Sequence, residues 1–341
     1  MLIIKFIDYY IYSVKNQIKK IALLTSGGDA PGMNASIRSV VRACVFHKII
    51  PIGVNKGYDG LIKGSFEEMN ARSVKGIINK GGTILKTARS EKFKSKSGRN
   101  EAYNSLKKNK IDGLIVIGGD GTFTGGLIFS EENNFPVIGI PATIDNDIFG
   151  TSHTIGFDSA TNTVMNAIDK IRDTASSHNR LFFIEVMGRD AGHIALNTGV
   201  AGGAEEILIP EEDLGLDRLI QSLKRSEKTG KSSSIVVVAE GDKTGKNVFE
   251  IASYIEKNMP EYEVRVSVMG HMQRGGSPSC FDRVLASRMG VYAVEKLLSG
   301  ESNSMIGVIN NEMTLCPLEK AIKGKSEINK NLIRVSDILS I

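Results

Sequence analysis

The sequence contains no tryptophan and only three cysteines in 341 residues. Cys44, Cys280 and Cys316 are far apart and odd in number, and no CxxC pair occurs. Neither a zinc site nor a disulfide framework is supported, and a reducing cytoplasm suits the chain. No apolar run reaches the ~18 residues that a membrane-spanning helix needs. Residues 1–12 are apolar and aromatic, but Lys5 and Asp8 interrupt them and no small-residue cleavage site follows. They read as a disordered or loosely packed extension rather than a signal peptide. No Pro- or Ser-rich linker and no repeat of solenoid length is visible. Net charge is low at +5, too small to argue for nucleic acid, though it suits phosphate-bearing ligands.

Glycine, by contrast, is abundant at 36 residues, within an ordinary globular balance of 41% hydrophobic and 24% charged residues. The length allows two domains or one large one. Short apolar runs at 20–25, 50–54, 111–117, 136–140, 182–186, 207–209, 235–239 and 264–268 read as buried strands. Helical patterns lie between them, the longest at 156–177 and 281–298, with a surface helix at 214–228. This alternation predicts a doubly wound, mostly parallel α/β fold. Residues 86–110 are dense in Lys and Arg and read as a solvated face.

Ligands of open α/β sheets gather at the carboxyl ends of strands. The first strand delivers Ser26-Gly27-Gly28-Asp29-Ala30-Pro31-Gly32-Met33-Asn34 to a helix. That is neither GxGxxG nor a Walker loop. It is an anion site at a helix N-terminus or a plain tight turn. Arg38 and Arg42 lie four apart on the next helix, as solvated charges or a phosphate clamp. Tyr58 sits in a loop at 56–60, where it stacks on a base or caps the core. The run 111–117 delivers Gly118-Gly119-Asp120-Gly121-Thr122, ahead of a helix beginning near Thr124. Backbone N–H groups there can hold phosphate oxygens, and Asp120 can reach a Mg²⁺ that bridges them. The next strand ends at Pro141-Ala142-Thr143-Ile144-Asp145-Asn146-Asp147. Its carboxylates form a solvated acidic turn, or they bind a cation or take a proton.

Later strand ends add Arg180, Met187-Gly188-Arg189, Glu240, Arg265 and Gly270-His271-Met272-Gln273-Arg274-Gly275-Gly276. Carboxylates, glycine loops and a surplus of Arg and His are what phosphoryl transfer requires. No serine or cysteine occupies a nucleophile elbow, so direct in-line transfer is the simpler reading.

With these motifs in view, the chain from about residue 19 onward resembles the bacterial ATP-dependent 6-phosphofructokinases. Gly-Gly-Asp-Gly-Thr alone is shared with NAD kinases and some lipid kinases. Thr143 to Asp147 and His271 to Gly276 together are specific to the family. The resemblance implies two similar domains with the active site in the cleft between them. Residues 19–155 with 272–322 would bind ATP, and 156–271 with 323–341 the sugar phosphate; residues 1–18 have no counterpart. Asp145 is implied as the base for the 1-hydroxyl of fructose 6-phosphate, Thr143 as a holder of reacting groups and Arg189 as a stabiliser of transferring charge. Asp120 is implied to bind Mg²⁺. Gly28, Tyr58, Arg89, Ser90, Gly119, Gly121 and Thr122 would line ATP. The sugar phosphate would take Ile144, Met187, Gly188, Glu240, His271, Met272, Gln273 and Arg274, with Arg180 and Arg265 from a neighbour in a homotetramer. An effector site for ADP or phosphoenolpyruvate would use Arg38, Arg42, Arg172, Gly203, Ala204, Glu205, Gly230 and Lys231. Neither nucleic acid nor membrane is implied as a partner.

The chain departs from the pattern at Ala71, where arginine is common, at Thr229, where lysine is common, and at Ser90, commonly aromatic. Altered or weakened effector control is the expectation, with catalysis intact. Pyrophosphate-dependent relatives tend to carry a larger acidic residue at Gly121 and lysine at Ala142. Both positions are small here, which favours ATP. A nucleotide-binding regulator without catalysis would not need Asp120, Asp145 and Arg189. An NAD kinase would leave Asp145 and His271 idle.

Overall fold

The computed structural model describes residues 18–175, 180–212, 215–228 and 234–339. The extension expected at 1–18 lies outside them except for Ile18. The strands in chain order are β1 (Lys20–Thr25), β2 (Ile50–Val54), β3 (Phe66–Glu68), β4 (Gly113–Gly118), β5 (Val137–Thr143), β6 (Ile155–Gly156), β7 (Arg180–Val186), β8 (Glu206–Leu208), β9 (Ser234–Ala239), β10 (Glu263–Val268), β11 (Ser304–Ile309) and β12 (Glu312–Pro317). The chain divides into two compact units. One runs to Thr143 and takes in Ile148–Gly156 and Arg274–Ser326. The other holds Ile144–Asp147, Phe157–Gln273 and the chain from Glu327 onward.

The first unit is built on a sheet of order β12-β11-β5-β4-β1-β2-β3, with β6 paired to β5. Its strands run parallel except β3 and β12, which close the two edges antiparallel. Strands β4 and β5 are buried along their whole length. Cover on both faces explains why they read as continuous apolar runs rather than alternating ones. Phe123 and Phe129 pack into the core beside Leu114 and Val116. Helices Met33–Phe46 and Cys280–Leu298 pack together, and the Ser39 hydroxyl donates to the Ala286 carbonyl at 2.9 Å. Cys44 and Cys316 are buried while Cys280 is exposed. Burial pushes the Cys44 thiol up to about 12.

The second unit has a wholly parallel sheet, β10-β7-β9-β8. Leu181, Phe183, Val236 and Val238 form its core with Leu219 and Leu223 of helix Gly215–Lys228 and Ile251 and Ile255 of helix Val248–Asn258. The last helix starts with a capping box, Asn247 and Glu250 each accepting the other's backbone N–H. Among the described residues no helix is long and apolar enough to cross a membrane.

All eight expected strands form, while β3, β6, β11 and β12 and the helices Lys96–Lys108, Val248–Asn258 and Lys330–Leu339 go beyond the expectation. Strand β5 continues to Thr143 because β6 pairs with Ala142 and Thr143. The stretch 56–60, expected as a loop, falls mostly in a helix, Gly57–Lys63, whose neighbour Gly64 closes it in the left-handed conformation. Hairpin β11–β12 was not foreseen; Asn310 and Asn311 make its turn at φ 50° and 65°, which asparagine tolerates. The basic stretch 86–110 is not only a solvated face. Within it Arg99 is buried and makes a bidentate pair with Glu132 at 2.6 and 2.8 Å, while also donating to the Phe93 and Lys94 carbonyls. The Arg99 hydrogen bonds hold the Glu132 carboxyl below its usual range. Glu132→Ala leaves that guanidinium buried without its counter-ion, so a loss of about 3–5 kcal/mol is expected in urea unfolding. A loss under ~1 kcal/mol, as for a solvated surface pair, would refute this account.

Candidate active site

In the first unit the chain leaves β1 and β4 at adjacent carboxyl ends, Thr25 lying opposite Ile117. Strand β2 continues to one side of β1, while β4 and β5 lie on the other. The strand order reverses here, and connections diverge to leave a crevice. The two glycine loops meet at this place. A Cβ on Gly118 would come within 2.5 Å of the Thr122 hydroxyl and would strike the Ser26 carbonyl. Only glycine permits that approach.

The helix after β4 begins at Asp120, four residues earlier than expected, because Gly119 serves as its N-cap. Asp120 is therefore the first helical residue, where a carboxylate suits the positive helix end, and it is exposed. An added Cβ at Gly121 meets nothing within 4 Å, so the space beside Asp120 is open. Thr122 is buried, and its hydroxyl has no hydrogen-bond partner among the described residues. An orphaned hydroxyl at a helix N-terminus beside bare glycines fits an anionic ligand. Among the described residues no group of three or more acidic, Cys or His side chains could hold a metal alone. Asp120 is the exposed carboxylate there that could hold a Mg²⁺.

The other expected nucleotide residues differ in exposure. Arg89 is exposed. Ser90 caps the short helix Glu91–Lys94, accepting the Phe93 N–H at 3.4 Å. Tyr58 is buried, stacked on Phe93 at 4.0 Å, and its phenol donates to the Thr122 carbonyl at 2.5 Å. Burial drives that phenol's pKa up. Of its two roles the ring takes the core one, and the base-stacking expectation is corrected. Arg274 lies against the first glycine loop: a Cβ on Gly28 would come 2.5 Å from its guanidinium, which donates to the Asp29 carbonyl at 3.2 Å. Thr143 closes β5 with its carbonyl accepting the Thr154 hydroxyl at 2.7 Å.

In the second unit Ile144 and Asp145 are buried. Strand β7 leads into a tight turn at 187–192 before helix His193–Gly202. Arg189 is exposed, with φ +54°, unusual outside glycine, and Gly188 has φ +146°. Glu240 accepts the Gly188 and Arg189 N–H groups at 3.3 and 2.8 Å. Gln273 accepts the Met187 N–H at 3.3 Å and donates to Gly270 at 3.1 Å. It is fully buried, so this amide braces the scaffold rather than facing a ligand, a correction to its expected substrate role. His271 and Met272 are exposed. Arg180 and Arg265, on neighbouring strands, both pair with Glu263.

Residues 20–297 match the phosphofructokinase family. The chain belongs to the phosphofructokinase family. It is 52% identical over 324 residues to the ATP-dependent 6-phosphofructokinase of Bacillus pumilus, covering 95% of this chain and all of that one. To ATP-dependent 6-phosphofructokinase 1 of Thermus thermophilus it is 51% identical, with coverage of 95% and 100%. The solved phosphofructokinases of Saccharomyces cerevisiae and Pichia pastoris are each 35% identical, with TM-scores of 0.83 and 0.85 over 89% and 94% of this chain. This chain spans only 45% and 36% of those yeast chains.

Of the expected effector residues, Arg38 and Arg42 belong to the first unit and Arg172, Gly203, Ala204 and Glu205 to the second. Arg38 and Arg42 share a face of their helix; partial burial and then the charge of Arg42 lower the Arg38 pKa. Arg172 donates to the Gly202 and Gly203 carbonyls at 2.5 and 2.8 Å, closing the end of helix His193–Gly202. Ala204 and Glu205 are buried, and Glu205 accepts the Ile235 N–H at 2.5 Å. Thr229, Gly230 and Lys231 lie outside the described residues.

Sequence reading missed Glu211 and His193. Glu211 accepts the Gly192 N–H with both oxygens, at 2.9 and 3.1 Å. His193 is buried at the helix start with its Nε2 unpartnered. Burial lowers its pKa, partly offset by Glu211. Below the ordinary value of about 6.5 the unfolded chain therefore takes up the proton first. Stability is expected to fall as pH drops from about 7.5 to 5.5, and His193→Gln to flatten that slope. Equal slopes in thermal unfolding would exclude His193 as the cause.

Proposed function

We propose that the protein is an ATP-dependent 6-phosphofructokinase, which moves the γ-phosphoryl group of MgATP to the 1-hydroxyl of fructose 6-phosphate in glycolysis. The products are fructose 1,6-bisphosphate and ADP. The observation that carries this reading is the open space at Gly121 beside exposed Asp120. It stands in a chain about half identical to bacterial proteins of that name. An acidic side chain at Gly121, as in pyrophosphate users, would fill that space. Ala142 is buried in β5, which leaves no long lysine to supply charge there.

In this reading Gly28, Gly119, Gly121, Thr122 and Arg89 line the nucleotide. Asp120 holds a Mg²⁺, which supplies charge neutralisation on the donor phosphates. Asp145, taken from water by burial, accepts the proton of the attacking hydroxyl. Thr143 holds the reacting groups, and Arg189 stabilises charge on the transferring phosphoryl. Met187, Gly188, Glu240, His271 and Arg274 hold the sugar phosphate. Arg180 and Arg265 serve a neighbouring subunit of a homotetramer, in the cytoplasm. ADP and phosphoenolpyruvate act as effectors at Arg38, Arg42, Arg172, Gly203, Glu205 and Lys231. The internal hydrogen bonds of Arg172 and Glu205, with Ala71 and Thr229, support weak effector control.

Asp145→Ser is expected to cut turnover by roughly 10² to 10⁴ with little change in sugar-phosphate affinity. Asp120→Ala should abolish activity or raise the Mg²⁺ requirement. Full activity in the first, or unchanged metal dependence in the second, removes the corresponding role. Coupled assays offering ATP or pyrophosphate test the donor, and turnover with pyrophosphate alone overturns the reading. Added ADP should shift the fructose 6-phosphate curve only slightly. A full change from sigmoidal to hyperbolic would show intact effector control instead.

A further inference from the structure

The turn that carries Arg189 owns few hydrogen bonds of its own. Within 187–192 its one internal backbone bond is Ala191 N–H to the Gly188 carbonyl at 3.0 Å. The other bonded donors go to three side chains distant in sequence: Met187 to Gln273, Gly188 and Arg189 to Glu240, and Gly192 to Glu211. The backbone at Arg189 is left-handed, a conformation that costs free energy for a non-glycine residue. It persists only where neighbours over-determine it. Glu240 fixes the turn's entry. Glu211 fixes its exit, where a Cβ on Gly192 would come 2.7 Å from the Glu211 carboxylate and 2.6 Å from Ile209. The same carboxylate lies at the positive end of helix His193–Gly202, which strengthens its hold.

The geometry points to Glu211 as a positioning residue for Arg189: it locks the exit of the turn, and so the place of the Arg189 guanidinium, without touching substrate. This rests on the phosphofructokinase reading of Arg189. It follows that losing Glu211 lowers kcat, through a misplaced arginine, and leaves the nucleotide side alone.

The test compares wild type with Glu211→Ala and Glu211→Gln in steady-state kinetics at 25 °C, with thermal unfolding and amide exchange of 187–192. Glu211→Ala is expected to lose about tenfold to a hundredfold in kcat, the worth of a charge-assisted hydrogen bond, with KM for ATP unchanged. Glu211→Gln keeps one acceptor oxygen and should recover most of that loss. Exchange at Arg189 and Gly192 should quicken in the alanine variant and less in the glutamine one. A Glu211→Ala enzyme that melts earlier but turns over like wild type overturns the proposal, as does unchanged exchange across the turn. A wild-type protein that does not phosphorylate fructose 6-phosphate overturns the functional reading instead. The hold on the turn is then still judged by exchange.

Discussion

Close backbone approach at the ends of β1 and β4 governs the first unit. Gly118 must be bare because the Ser26 carbonyl and Thr122 occupy the place of its side chain. That contact brings the loop after β1 against the start of helix Asp120–Asn133. It also buries the Thr122 hydroxyl, while Tyr58 ties down the Thr122 carbonyl from the core side. Buried aromatic packing and the exposed Asp120 carboxylate are thus two faces of one joint. Side chains behind the joint are hydrophobic and satisfied; those in front are sparse and polar.

The second unit solves the same problem differently. Its exposed arginine stands on a turn held by polar side chains reaching in from elsewhere. A glycine crevice offers backbone N–H groups and room. A braced turn offers one charged side chain at a fixed place.

Strands β4 and β5 were legible because cover on both faces leaves long apolar runs bounded by glycine or acidic residues. The glycine loops announced themselves because a bare α-carbon has few other uses at a strand end. Tyr58 was not legible: a phenol looks alike in sequence whether it stacks on a base or on Phe93. The start of the helix at Asp120 was hidden because glycines at 119 and 121 resemble a loop. Gln273 sat inside a motif that implied ligand contact, and only its burial shows a bracing role. Glu211 gave no signal, since its partner is a backbone N–H whose place depends on the folded turn.

The three thiols differ in accessibility. Cys44 is buried with its ionisation suppressed, Cys316 is buried, and Cys280 lies exposed at the start of its helix, a few residues after the His271–Gly276 segment. A maleimide fluorophore will therefore attach at one natural point on the native chain, giving a spectroscopic reporter near that segment without engineering a cysteine or deleting one.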